Sequence, residues 1–204
     1  MDTPCPGIEL DRDWKSYKQD ILLSSLNRKL FIFLRSVDKG LDYRVVYSNS
    51  GDLEKDIDAL LELWQQRFGE RENEELRQIK KLWGICYQQK QLWYEIIYDG
   101  EIAVAGLAAF TDHIKNCISP FMMAYKYDKN YSRYSLGLVI VAHSLKYAID
   151  KGYKVYDFGR GNSEYKTWFG ATNCNNKNYI IRRRIYLAGI KSRLRRLVLA
   201  WGSR

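Results

Sequence analysis

The sequence predicts an α+β fold in which one mostly antiparallel sheet carries helices packed against it. Three observations lead there. Apolar residues recur at helical spacing through the first 90 or so positions, and the period changes to that of strands after Gln91. Two β-rich runs, LWYEIIY and EIAVAGLAAF, are joined by Asp99-Gly100, a strong short hairpin signal. The 204 residues, 46% apolar and 14% aromatic, suffice for one ordinary core and exclude wholesale disorder. With no internal repeat or low-complexity linker, one α+β domain is expected.

In order, Trp14, Tyr17, Lys18, Ile21, Leu22 and Leu26, then Leu30, Phe33, Leu34 and Val37, predict one long or broken helix stopped at Lys39-Gly40. Tyr43 to Tyr47 is short, β-branched and aromatic, and reads as a strand. Asp52 caps a second helix whose apolar face is Leu53, Ile57, Leu60, Leu61, Trp64 and Phe68, ended by Gly69. Leu76, Ile79, Trp83 and Cys86 form a third stripe, and Trp64, Trp83 and Trp93 are expected in the core. After the hairpin, Ile114 to Ser119 and Phe121 to Tyr125 read as one strand interrupted at Pro120, where the missing N–H implies an edge or a bulge. Leu136 to Asp150 is helical and closes at Lys151-Gly152. Lys154 to Phe158 is a short strand, Tyr179 to Ile185 a final one, and a tail helix follows.

The net charge of +9 suggests a polyanion binder, but its distribution does not. No acidic residue follows Glu164, whereas ten of the 33 basic residues do, leaving 23 basic against 24 acidic residues before that point. The motif-bearing body is nearly neutral and no DNA partner is expected. In the tail, Ile190, Leu194, Leu197, Val198 and Trp201 share one helical face among Lys191, Arg193, Arg195 and Arg196, a basic amphipathic pattern that suits either docking on the domain or peripheral contact with an anionic membrane. The apolar runs Ile102 to Phe110 and Leu136 to Ala142 fall short of the roughly 18 to 20 residues a spanning helix needs. The N-terminus has no apolar run after a basic patch, so no secretory signal is expected. Cys5, Cys86, Cys117 and Cys174 are scattered and only His113 and His143 accompany them, so neither a disulfide framework nor a metal site is expected. These readings give a cytoplasmic, reduced protein. His143 reads as a packing or surface residue, and Cys174 lacks the adjacent base a thiol enzyme requires.

Two stretches carry chemistry. Tyr131-Ser132-Arg133-Tyr134-Ser135-Leu136-Gly137 is a polar turn between a strand and a helix. A helix start presents unpaired N–H groups and the positive end of its dipole. Ser135 can cap it, Gly137 lets a ligand approach the backbone, and Arg133 adds a counter-charge, an arrangement suited to a pyrophosphate. A capped helix after a loop also has a purely structural reading. The second stretch is Tyr156-Asp157-Phe158-Gly159-Arg160-Gly161 followed by Glu164-Tyr165-Lys166-Thr167-Trp168-Phe169-Gly170-Ala171. It puts an Arg between glycines at the end of a strand and a Lys between aromatics. Here too a tight turn in which Arg160 pairs with Asp157 or Glu164 is an alternative.

At this spacing the two stretches resemble the acyltransferase domain of the GNAT superfamily, in its branch of CelD-like cellulose-biosynthesis acetyltransferases and Fem-type peptidoglycan aminoacyltransferases. That pattern has an aromatic-Asp pair, Tyr-Ser-Pro-Gly, a long helix, then Tyr-Asp-Phe-x-Arg-Gly and a Tyr-Lys pair before Trp-Gly-Ala. Matching residues are Tyr127-Asp128, Tyr134-Ser135-Leu136-Gly137 with Leu136 in place of Pro, Tyr156 to Gly161, and Tyr165-Lys166. Trp168-Phe169-Gly170-Ala171 departs by one extra aromatic, and the likeness covers roughly residues 20 to 185.

The resemblance implies the GNAT acyl-CoA N-acyltransferase fold, with a mixed sheet that splays open midway to take the donor's pantetheine arm. Acyl-CoA, with acetyl-CoA the expected form, would be the co-substrate, with no metal. Arg133, Tyr134, Ser135, Leu136 and Gly137 would take its phosphates, and Arg160 an anionic part of donor or acceptor. Lys166 would sit at the donor carbonyl, Tyr165 would protonate the leaving thiolate, and Asp157 would orient Arg160 or the acceptor amine. The acceptor would be a small amine, an amino sugar, or a glycan or envelope precursor. Expected boundaries are an extension over 1–13, the acyltransferase domain over 14–186 and the basic helix over 187–204. Because such relatives often carry two domains in tandem, a reduced or split form is expected, either self-sufficient or completed by a homodimer or a companion domain. Two alternatives stay open: an aminoacyl-tRNA donor, and a non-catalytic donor-binding module recruited to an anionic surface.

Overall fold

In the computed structural model, which describes residues 3–20, 30, 34–35, 39, 43–49, 52–131 and 134–176, seven strands run through one sheet. They are β1 (Thr3–Glu9), β2 (Arg44–Tyr47), β3 (Leu92–Asp99), β4 (Ile102–Asp112), β5 (Cys117–Tyr125), β6 (Val155–Asp157) and β7 (Thr172–Asn176). Their order is β2-β3-β4-β5-β6-β1-β7. Every pairing is antiparallel except that of β5 with β6. Five helices are described from end to end: α1 (Trp14–Asp20), α2 (Leu53–Phe68), α3 (Asn73–Gln88), α4 (Leu136–Asp150) and α5 (Glu164–Trp168). Among the described residues no helix is long and apolar enough to cross a membrane.

Both faces of the sheet are covered, and the strand period of two divides its side chains between two cores. Along β3, Trp93 and Ile97 pack with Leu107 of β4 and Val139 and Ile140 of α4, while Tyr94, Ile96 and Tyr98 pack with Leu60 and Leu61 of α2 and Trp83 of α3. The hairpin turns at Asp99-Gly100 as expected, with Gly100 at φ +57°. Asp52 caps α2, its carboxylate accepting from the N–H of Glu54 (3.1 Å) and of Lys55 (3.5 Å), and Gly69 ends it at φ +94°. Helix α4 spans the residues its periodicity predicts.

Three readings are corrected. The expected strand from Ile114 begins instead at Cys117, because 113–116 form the turn from β4 and Ile114 is 99% exposed. Part of the expected extension over 1–13 is β1, which lies between β6 and β7 in the sheet. Pro4 and Pro6 argue against such a strand, yet each retains a carbonyl, and these accept from Gly161 N (3.1 Å) and Phe158 N (2.9 Å). Phe68, assigned to the apolar face of α2, is 52% exposed at that helix's last turn. Of the long helix expected over 14–37, 14–20 form α1 and Leu30 and Leu34 are helical and buried. The strand expected over 179–185 and the tail helix over 187–204 lie outside the described residues.

Candidate functional site

The site begins where the parallel pair separates. β5 continues to Tyr125, but it pairs with β6 only at Cys117↔Val155 and Ile118↔Tyr156. Just beyond, the β4–β5 register steps from Ala109↔Pro120 to Ala108↔Met122, so Phe121 is the extra residue of a bulge at the proline. A cavity of about 190 Å³ occupies the opening, with Pro120, Met123, Tyr156, Phe158 and Lys166 in its walls. A second, of about 520 Å³, lies at the start of α4 against Tyr125, Ser135, Leu136 and Gly137. Met123, Ser163 and Tyr165 line both, so the two spaces are neighbours.

The start of α4 is bare of side-chain caps. Ser135, expected to cap it, sits at φ +52° and makes no capping hydrogen bond, because a capping side chain reaches back only from extended backbone. Its carbonyl accepts from Leu138 N (2.8 Å) and Val139 N (3.1 Å), while the N–H groups of Leu136 and Gly137 meet no acceptor among the described residues. No acidic residue lies in the first turn. Gly137 does more than clear space for a ligand: a Cβ there would stand 2.4 Å from Cε1 of Tyr125. The preceding turn is moored to the β2–β3 side of the sheet, since Tyr131 donates to Asp99 (2.8 Å) and Tyr134 meets Tyr43 edge-on at 6.5 Å. Arg133 lies outside the described residues.

The second motif stretch folds around a lysine. Asp157 accepts from Gly159 N (2.8 Å), and Gly159 and Gly161 take φ +67° and +101° in the turn after β6. Lys166, on α5 and 3% exposed, donates from Nζ to the carbonyls of Gly159 (3.1 Å), Arg160 (3.0 Å) and Gly161 (3.0 Å). An ammonium has three hydrogens, and each has a carbonyl in this turn. Burial pulls this lysine's pKa below its ordinary value, opposed by Cys5 and Asp157. Lys166→Met is therefore expected to cost about 1.5–3 kcal/mol of stability by leaving the turn's carbonyls without a charged donor, a loss that chemical denaturation reads directly. Arg160 is exposed and lines the opening. Tyr165 is half-buried with its ring edge-on to Phe158 at 6.1 Å; burial raises its phenol pKa, and its hydroxyl has no hydrogen-bond partner among the described residues.

Residues 28–167 match the family described as Acetyltransferase (GNAT) domain. The chain belongs to the GNAT acetyltransferase-domain family. No curated protein matches the sequence. Among solved structures this GNAT domain is similar to FemX, at 10% identity and a TM-score of 0.62 over 83% of this chain and 59% of that one. It is similar to L-PGS from Bacillus licheniformis, at 13% and 0.53 over 86% and 59%. A third is the C-terminal domain of a protein designated a lysylphosphatidylglycerol synthetase, from Agrobacterium fabrum, at 11% and 0.56 over 86% and 59%. At these identities the likeness is one of fold, and the chain spans about three fifths of each relative's length.

Sequence reasoning missed two features of this GNAT domain. Of the two readings of His143, the structure bears out packing over surface, but its partner was missed: its Nδ1 lies 2.6 Å from a carboxylate oxygen of Glu95, with the two residues 4% and 0% exposed. Its ring also stacks on Tyr47. The alternation of β3 could have flagged Glu95, because it shares the inward face of Trp93 and Ile97. The other is Arg67, on the last turn of α2, whose guanidinium lies 3.9 Å from the centre of the Tyr125 ring. No local motif marks it.

Proposed function

We propose that this GNAT domain transfers an acyl group, with acetyl the expected form, from a coenzyme A thioester to an amine. What supports the reading is the adjacency of two spaces: the opening beyond Ile118 and the cavity at the start of α4 share Tyr165 in their walls. A long thin arm fits the first, and the N–H groups of Leu136 and Gly137 at a helix start suit phosphate oxygens at the end of the second. Tyr165, whose phenol stays protonated when buried, is the proton donor bordering both. The amine attacks the thioester carbonyl, the C–S bond breaks, Tyr165 protonates the leaving thiolate, and the surplus proton of the amine restores the phenol. Lys166 and Asp157 act here as positioning residues, holding the turn at 159–161 that borders the opening.

The acceptor we infer is an amino sugar, polysaccharide or envelope precursor, as in the CelD-like branch. A homodimer or companion domain would complete the acceptor side. A cytoplasmic site of action, with residues 187–204 touching an anionic membrane, belongs to the same proposal. The fold likeness to FemX favours a second reading, in which the donor is an aminoacyl-tRNA; ribonuclease would then abolish transfer. Titration calorimetry with coenzyme A separates the readings. Saturable heat is expected, and its absence would discard the coenzyme A reading.

A further inference from the structure

We propose that Arg67, held over the ring of Tyr125, grips the phosphate end of the donor beside the start of α4. This inference rests on the coenzyme A reading and extends it to a residue that lies in neither motif stretch.

The last turn of α2, the end of β5 and the first turn of α4 meet at one ring. Tyr125 takes the Arg67 guanidinium at 3.9 Å from its centre, and the same ring occupies the space that a side chain at Gly137 would need. A guanidinium lying on an aromatic face is fixed in plane, and its N–H donors stay available around its rim for a bidentate anion. Arg67 has no carboxylate partner among the described residues, whereas Arg71, in the loop after α2, pairs with Glu75 and Arg77 pairs with Glu74.

The surroundings agree in sign. Lys126, the residue after β5, lines the same 520 Å³ cavity and is likewise without an ion pair among the described residues. Among the described residues no aspartate or glutamate lines that cavity. Beside it stand the two N–H groups of Leu136 and Gly137 and the positive end of the α4 dipole, with no acid in the first turn to offset it. Two walls built from different parts of the chain thus converge on one space with donors and positive charge. A phosphate, with its tetrahedral set of oxygens, can accept from both walls at once, which a planar carboxylate does less well.

The test is calorimetric titration of coenzyme A into the full chain, at low and at moderate ionic strength, for wild type, Arg67→Met and Arg67→Lys. Arg67→Met should bind roughly tenfold more weakly at low salt, the size expected for one charge-assisted contact. It should also show a shallower salt dependence than wild type. Arg67→Lys, which keeps the charge but loses the fork, should fall between the two. Melting temperatures close to wild type identify the loss as one of binding, because the side chain is exposed. If Arg67→Met binds within about twofold of wild type, where a contact of this kind is worth far more, the inference is overturned and the coenzyme A reading stands. If wild type itself does not bind, the donor reading falls and this inference falls with it.

Discussion

Gly137→Ala should lower stability by about 1–3 kcal/mol, the usual cost of forcing a methyl into a filled space, and should weaken coenzyme A binding by roughly tenfold or more. The added Cβ meets Cε1 of Tyr125 at 2.4 Å and two further ring atoms at 2.9 Å, closer than van der Waals contact permits. The ring cannot swing away without cost, because β5 fixes its backbone and Arg67 lies against its face. Either the ring moves, taking Arg67 with it, or the first turn of α4 moves, displacing the N–H groups of Leu136 and Gly137. Both disturb the same site. Chemical denaturation and calorimetry on the single variant, and on Tyr125→Leu/Gly137→Ala, check this. The double variant should recover much of the stability and little of the binding, a non-additive pattern expected for residues in contact.

His143→Ala is expected to be costlier, at about 3–5 kcal/mol, the usual penalty for stripping the partner from a buried charge. Glu95 is fully buried on β3 with one carboxylate oxygen on His143, and its other oxygen and the Trp93 indole N–H have no hydrogen-bond partner among the described residues. Replacing both members, Glu95→Leu/His143→Leu, should restore most of the loss, since apolar residues of similar volume often substitute for a buried pair at little cost. The pH dependence has a definite sign. Burial raises the Glu95 pKa above its ordinary value and His143 opposes that rise. Without His143, folding favours the protonated carboxyl, so the variant is least impaired at acid pH and loses stability as the pH rises through the folded-state pKa. Thermal melts across a pH series would show a deficit that widens from the ordinary glutamate range upward; a constant deficit would contradict the account.

Local signals were readable wherever the backbone dictates them. Asp99-Gly100 announced its hairpin, Asp52 its cap and Pro120 its bulge, because each needs only the residue's own φ preference, side-chain oxygen or missing N–H. The motif residues Tyr165 and Gly137 were likewise visible, and they do line the cavities. What could not be read depends on contacts distant in sequence. Lys166 looked like a group aimed at a substrate, and only the turn at 159–161 supplies the carbonyls that engage it. His143 sits in a helical pattern that gives no hint of a carboxylate 48 positions earlier. Arg67 resembles any basic residue at a helix end until β5 brings Tyr125 beneath it. β1 was hidden because its prolines contribute carbonyls to a neighbouring loop where a ladder residue would contribute both groups.

That strand bears on how the chain reaches its native state. β2 to β5 are paired through neighbours in sequence, so this half of the sheet can assemble as the polypeptide emerges. β1 is made first yet is held by β6 and β7, and Tyr17 just after it donates to the carbonyl of Phe169, 152 residues away. Closing so long a loop is slow and precedes its reward. The half of the sheet that carries the Tyr165 turn is therefore expected to settle last, after synthesis has passed β7, with residues 3–9 waiting as an unsatisfied edge until then.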